Sequence, residues 1–268
     1  MHRLAIINTH PIQYYSPYYR QLDDRPGLNV KVFYSWRGSV EEAYDPGFEQ
    51  DVSWDIPLLE GYNYTFVENT AADPGTHHFW GITAPQLIDR VEEWNPDAVL
   101  IYGWNYRSHL RALRHFHGRI PVLFRGDSTL LEESFGPRRW ARRLWLRWVY
   151  RHVDVALYVG QHNRDYFEAH GLKDDDLFWV PHAVENARFK RESGAEKNAE
   201  KWRRELGISE EDSVVLFAGK LSKTKGPDVL TEAFAGLRHD SVHLVVVGSG
   251  PMEDELRREV GDHPRVHF

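Results

Sequence analysis

The chain has 268 residues, a length that accommodates two domains at roughly 150 residues per domain, the second of them short. Apolar residues make up 41%, which excludes a largely disordered chain, and a net charge of -7 excludes a nucleic-acid partner recruited by overall charge. With no cysteine there is neither a disulfide framework nor a thiolate zinc site, which fits a cytoplasmic protein. No apolar run reaches the ~18 residues of a membrane span.

The opening segment has an apolar run, LAIIN (4–8), too short for a signal peptide and read as a buried strand. The turn THPIQYYSP follows, then the mixed stretch YYRQLDD. NVKVFYS (29–35) alternates and is β-branched, a second strand. Residues 36–80 are irregular, with short strands expected around WDIPL and YTFVE. PQLIDRVEEW (85–94) has helical spacing at Leu87, Val91 and Trp94. Strand DAVLIYG (97–103), helix 106–116, strand IPVLFRG (120–126), helix 136–153, strand DVALYVG (154–160), helix 162–171 and strand LFWVPHAV (177–184) complete the first alternation. Such alternation predicts a parallel sheet with helices on both faces, and ligands of such sheets sit at the carboxyl ends of the strands. The charged stretch 185–205 reads as a linker leading into a solvated helix. A second β-α-β-α-β series then runs from SVVLFAG (213–219) to RVHF (265–268). The expected domains are 1–190 and 191–268.

The most informative stretch is GKLSKTKG (219–226), a Gly-bounded loop leaving a strand and entering a helix opened by Pro227. Free backbone N–H groups and the positive end of the helix dipole favour an anion there. Lys220 and Lys225 add two ammonium groups, which makes a diphosphate the fitting ligand; the plainer reading is two solvated surface charges. Thirty residues on, VVVGSGP ends the next strand, and Gly248 and Gly250 let backbone approach a ligand closely. Neither loop is the dinucleotide pattern GxGxxG or the P-loop GxxxxGK[ST].

GKLSKTKGPDVLTEAF followed by HLVVVGSGPMEDELR resembles the donor half of retaining GT-B glycosyltransferases of the family 4 type. That family shows G-[RK]-x(3-4)-K-G, an EAF helix and V-G-x-G-P. VPHAVENARF is similar to the family's domain-crossing segment, with His182 and Ala183 where Asn and Gly are usual. The resemblance implies a GT-B architecture of two Rossmann-like doubly wound domains facing a cleft, the second incomplete here. It implies transfer of a sugar from a nucleotide-diphosphate donor to an acceptor hydroxyl, with retention at the anomeric carbon. Gly219, Lys220, Lys225, Gly248 and Gly250 are then the donor-binding positions, and Lys220 and Lys225 stabilise the departing diphosphate. No metal and no cofactor beyond the sugar nucleotide is implied. The partners are the nucleotide-sugar donor and a carbohydrate or lipid-linked acceptor, with no nucleic acid. An epimerase of nucleotide sugars and a non-catalytic binding fragment are the alternatives.

Acceptor-side candidates lie in the loops of the first sheet. His10 and Gln13 face the site or merely follow the Pro11 turn; Tyr14 lines the site or packs in the core. Trp104 stacks on a sugar or stands as a rim aromatic, and Asn105 offers a hydrogen bond. In RGDST, Asp127 accepts the acceptor's proton or caps the following turn or helix, beside Arg125 and Ser128. His162 is read as a polar loop residue and Asp174–Asp176 as a solvated loop. The pairs His77-His78 and His115-x-His117 lack further ligands at metal spacing. Helix 138–151 is rich in arginine and tryptophan: it covers the sheet with its arginines solvated, or it lies on an anionic membrane at the inner face.

The resemblance places a Glu-x7-Glu motif, which holds the donor sugar and ribose, beyond Phe268. A three-strand donor half then expects its remaining strands from further sequence or from a second chain. Transfer by these 268 residues alone is expected to be weak or absent.

Overall fold

A computed structural model describes residues 1–38, 40, 43–45, 48–52, 54–131, 133, 136–186, 188–190 and 194–268. Ala187 in VPHAVENARF and residues 191–193 of the charged linker lie outside the described residues. In chain order the elements are β1 (His2–Asn8), α1 (Ser16–Asp23), β2 (Leu28–Tyr34), β3 (Ala43–Asp45), β4 (Gln50–Val52), β5 (Asn63–Phe66), α2 (Leu87–Trp94), β6 (Ala98–Tyr102), α3 (Arg107–Phe116) and β7 (Val122–Arg125). They continue with α4 (Pro137–Tyr150), β8 (Val155–Tyr158), α5 (Gln161–Ala169), β9 (Leu177–Trp179), α6 (Ala195–Glu205), β10 (Ser213–Ala218), α7 (Pro227–Ala235), β11 (Val242–Val247), α8 (Glu253–Val260) and β12 (Val266–His267). The chain forms two compact units, one of residues 1–41 and 54–185, the other of 42–53 and 186–268. The division falls five residues before the position expected from sequence, and the segment 42–53 groups with the second unit.

The first unit is a seven-stranded sheet in the order β5-β2-β1-β6-β7-β8-β9, all parallel. Side chains of a strand alternate between faces, and the two cores follow that rule. Ala5, Ile7 and Phe33 join one cluster with Val91, Leu113, Leu146 and Phe167 from α2, α3, α4 and α5. Ile6, Val30, Val32 and Tyr34 join the other with Tyr19 of α1. Both faces carry helix, as expected, but among the described residues four helices lie on one and a single helix on the other. α1 itself was read only as a mixed stretch. Its apolar positions Tyr15, Tyr18, Tyr19 and Leu22 follow helical spacing, and Pro17 opens its first turn. WDIPL forms no strand, whereas β3 and β4 pair as an antiparallel hairpin in the second unit.

The second unit has a parallel sheet in the order β10-β11-β12, with Leu221, Phe234, Leu244, Val246, Met252 and Leu256 as its core. α6 lies near β10, and between them runs a groove of about 440 Å³ lined by Trp202, Leu206, Val214, Leu216 and Val245.

Candidate functional site

Two neighbouring strands of the first sheet send their chains to opposite faces. β1 leads into α1 on one side and β6 leads into α3 on the other. That is the switch point at which open α/β sheets take their ligands, and the loops 9–15 and 103–106 border it. His10 is half-buried, with Nδ1 2.8 Å from the Thr9 hydroxyl and its ring edge-on to Trp36 at 5.1 Å. Burial lowers its pKa to about 4, so the imidazole is neutral at neutral pH. Gln13 is half-buried. Tyr14 is 44% exposed, so it is not a core residue, and its ring meets Tyr15 at 4.6 Å and His182 at 6.2 Å. Trp104 is not the rim aromatic of one sequence reading: it packs against the core. Asn105, beside it, is exposed.

The loop after β7 carries Asp127, which is exposed. It caps no helix, because α4 begins ten residues later with Gly136 as its N-cap. Its charge is felt by Tyr14, whose hydroxyl pKa is raised first by burial and then by Tyr15 and Asp127. Arg125 is buried and does structural work: Nη1 donates to the Val180 carbonyl at 2.8 Å and Nη2 to that of Pro181 at 3.4 Å. It thereby fixes the chain leaving β9. Arg125, Tyr14, Tyr15, Tyr18, Tyr102 and residues 180–183 wall a small pocket of about 20 Å³. The sequence reading passed over Asn163, which is buried; its amide donates to the Ser128 carbonyl at 2.8 Å and its Oδ1 accepts from the Val159 N–H. Its neighbour His162, the residue singled out from sequence, is exposed. An Asn at a strand-to-helix turn was the available signal.

In the second unit the two glycine-bounded loops are stitched together. Gly219 N–H donates to the Val247 carbonyl at 2.9 Å, Leu221 N–H to that of Ser249 at 2.9 Å, and Met252 N–H to that of Leu221 at 3.0 Å. Gly248, at φ 144°, has a reason beyond ligand approach: a Cβ there would lie 1.9 Å from the Gly219 carbonyl oxygen. Gly250 has φ 148°. Lys223–Lys225 form a 3-10 turn that ends on Gly226, whose left-handed backbone (φ 63°) starts α7. Lys220 is half-buried and its ammonium lies 4.9 Å from the ring centre of Phe48, a cation–π distance; Lys225 is exposed. The Ser249 hydroxyl donates to the Phe48 carbonyl at 2.7 Å. The β3–β4 turn thus sits against both loops, a contact across some two hundred residues that no local pattern discloses.

Among the histidines, His77 and His78 do find a carboxylate. Asp73 Oδ2 is 3.0 Å from His77 Nε2 and 3.3 Å from His78 Nε2, and the three ligand atoms lie within 4.8 Å of one another. The reading from spacing missed Asp73, four residues before His77. Hydrogen bonding to His77 holds the Asp73 pKa below its usual value. His78 Nδ1 accepts the Trp80 N–H at 3.2 Å, so its Nε2 carries the proton that faces Asp73. The cluster therefore closes the loop by hydrogen bonds. His115 and His117 diverge, the first to Glu92 at 2.6 Å and the second toward Asp154 at 3.8 Å. Asp174 pairs with Arg164, and Asp176 accepts the Lys173 N–H, so the acidic run is solvated as expected and folded into a 3-10 turn.

Residues 19–183 match the family model described as glycosyl transferase 4-like domain, well over half of the chain. The chain belongs to that family. Residues 198–264 match a second model, glycosyl transferases group 1. The GT-B glycosyltransferase assignment thus rests on both units. The chain is 32% identical over 144 residues to a D-inositol 3-phosphate glycosyltransferase of Corynebacterium aurimucosum, covering 49% of this chain and 34% of that one. It is 30% identical over 82 residues to an alpha-monoglucosyldiacylglycerol synthase of Streptococcus pneumoniae, covering 30% of this chain and 19% of that protein. The chain thus spans about a third or less of these relatives. Among solved structures, Anabaena Alr3699/HepE in complex with UDP and glucose matches with a TM-score of 0.64 at 18% identity, over 100% of this chain and 69% of that one. UDP-GlcNAc 2-epimerase from Neisseria meningitidis bound to UDP-GlcNAc matches with a TM-score of 0.58 at 16% identity, over 100% and 71%. Both likenesses concern the fold. Among the described residues no helix is long and apolar enough to cross a membrane.

Proposed function

We propose that this glycosyltransferase chain serves the transfer of a sugar from a nucleoside diphosphate to the hydroxyl of a carbohydrate or lipid-linked acceptor, with retention at the anomeric carbon. The observation that carries the proposal is the stitched pair of loops at 219–226 and 248–252, with Lys220 on one and the start of α7 at its end. The anomeric C–O bond to the diphosphate breaks as the bond from the acceptor oxygen forms. Negative charge grows on the departing diphosphate, and preorganised cations and N–H groups stabilise it there. Lys220 and Lys225 fill that role, while Gly219, Gly248 and Gly250 keep the backbone close to the phosphates. The Anabaena structures hold UDP or UDP-glucose, which supports a uridine nucleotide as donor. No metal is needed for this chemistry and no separate cofactor enters it.

On the acceptor side, Gln13, Tyr14 and Asn105 border the switch point and offer hydrogen bonds to a hydroxylated ligand. Asp127 takes the proton of the acceptor hydroxyl, and the neutral His10 offers a hydrogen bond to another hydroxyl of the acceptor. The likeness to UDP-GlcNAc 2-epimerases keeps epimerisation as the second reading. Calorimetry with UDP, GDP and ADP, followed by NMR of the sugar products, separates the readings. Transfer predicts UDP binding and a new glycoside of the donor's anomeric configuration. A C2 epimer, an inverted glycoside or the absence of nucleotide binding contradicts the proposal.

A further inference from the structure

α3 and α4, with the C-cap residue Arg151, carry nine arginines and no aspartate or glutamate, in a chain whose net charge is -7. Three of the nine are paired with an acid. Arg139, Arg142 and Arg143 converge on the nearly buried Glu133 carboxylate at 3.0, 3.5 and 3.2 Å. The other six, Arg107, Arg111, Arg114, Arg138, Arg147 and Arg151, are exposed. The sequence expectation of a sheet-covering helix with solvated arginines therefore holds only for part of α4.

The outer side of α4 is also apolar. Leu146, Val149 and Tyr150 face the core, Trp148 is half-buried against it, and at 100° per residue positions 140, 144 and 151 fall on the other side. Trp140 is 70% exposed, Leu144 67% and Trp145 42%. The rings of Trp145 and Trp148 lie 4.8 Å apart, and Arg114 of α3 covers Trp148 at 5.4 Å, which joins the two helices into one surface. A helix that only covers a sheet has no use for this second apolar stripe, and contiguous exposed apolar surface marks an interaction site.

We propose that the outer face of α3 and α4 docks onto an anionic lipid bilayer. The charge pattern selects this partner. Indole and leucine side chains enter the boundary between headgroups and acyl chains, while the flanking guanidinium groups reach lipid phosphates. A second copy of the chain would set arginine against arginine. A nucleic acid would use the arginines and leave the Trp140–Leu144 stripe in water. The inference stands on this face alone, independent of sugar transfer.

The test is co-flotation of the chain with phosphatidylcholine vesicles, with and without phosphatidylglycerol as a minority lipid. The chain is expected to float only with the anionic vesicles and to be released by high salt. Replacing Arg138, Arg147 and Arg151 by Gln should weaken the partition on the order of a hundredfold, at ~1 kcal/mol per cation. Replacing Trp140, Leu144 and Trp145 by Ser should weaken it at least about tenfold while leaving most of the salt dependence. All six side chains are exposed, so circular dichroism and melting should be unchanged; if a triple variant melts early, the single variants Arg147→Gln and Trp140→Ser are compared instead. The proposal is overturned if the wild-type chain does not float, if it floats equally with neutral vesicles, or if both sets of variants float like the wild type. Tight binding of single-stranded RNA that is indifferent to the serine variant would assign the face to nucleic acid. A dimer dissolved by the serine variant, without vesicle binding, would assign it to a second copy.

Discussion

Among the described residues of the first unit, burial lowers the pKa of His10, His109, His152 and His170, and this fixes the sign of a pH effect. His10 and His109 both have folded-state pKa values lowered to about 4 from 6.5. His109 is fully buried and its Nδ1–H donates to the Tyr102 carbonyl at 2.7 Å. Between pH 6.5 and 4 the unfolded chain takes up protons that the folded chain refuses, so stability is full above pH 6.5 and falls as the pH drops toward 4. Urea denaturation across that window should show the decline, and His10→Gln should remove about one proton from the uptake linked to unfolding. An unchanged pH dependence in that variant would mean that His10 titrates freely in the folded protein. A neutral His10 also means that any acceptor-binding role it has should persist well below pH 6.5. The sequence marked His10 as a residue after a strand; that it is neutral follows from packing against Trp36, which no local pattern discloses.

At the scale of elements, the two loops of the second unit depend on a glycine that touches another glycine's carbonyl. Gly248→Ala meets both a backbone at φ 144° and an oxygen 1.9 Å from the new Cβ, and neither is relieved by a side chain moving aside. The variant should lose about 2 kcal/mol or more of stability in the second unit and should lose nucleotide binding with it. Thermal unfolding followed by hydrogen exchange of residues 213–260 checks this; an unperturbed second unit would show that the loops are looser than described. Most elements here were legible, because β-branched runs and helical spacing agree with the fold from β6 to β11. α1 escaped because its core-facing positions are tyrosines, whose mixed character blurs the apolar stripe. The β3–β4 hairpin escaped because AYD and QDV carry too few β-branched residues to read as strands, and WDIPL drew attention to the wrong place.

For the whole molecule, the parallel sheets of the two units share a run of strands of the same kind. β1, β2 and β5 lie side by side in chain order within the first sheet, as β10, β11 and β12 do across the second. The GT-B resemblance was visible in the loops at 219–226 and 248–251, since Gly, Lys and Pro at fixed places have direct backbone and charge consequences. The strand-end loops of the first sheet were only half legible. They were located correctly, yet the roles of Trp104, Arg125 and Asn163 depend on partners 35 to 56 residues away or on core packing. The account turns on whether Lys220 and Lys225 meet a diphosphate. Phosphorus-31 NMR of UDP titrated with the protein tests this most directly. Binding should shift and broaden the β-phosphorus resonance, and Lys220→Ala with Lys225→Ala should weaken UDP about tenfold or more while uridine binding is kept. A β-phosphorus resonance that responds identically in the wild type and the double variant would contradict the account.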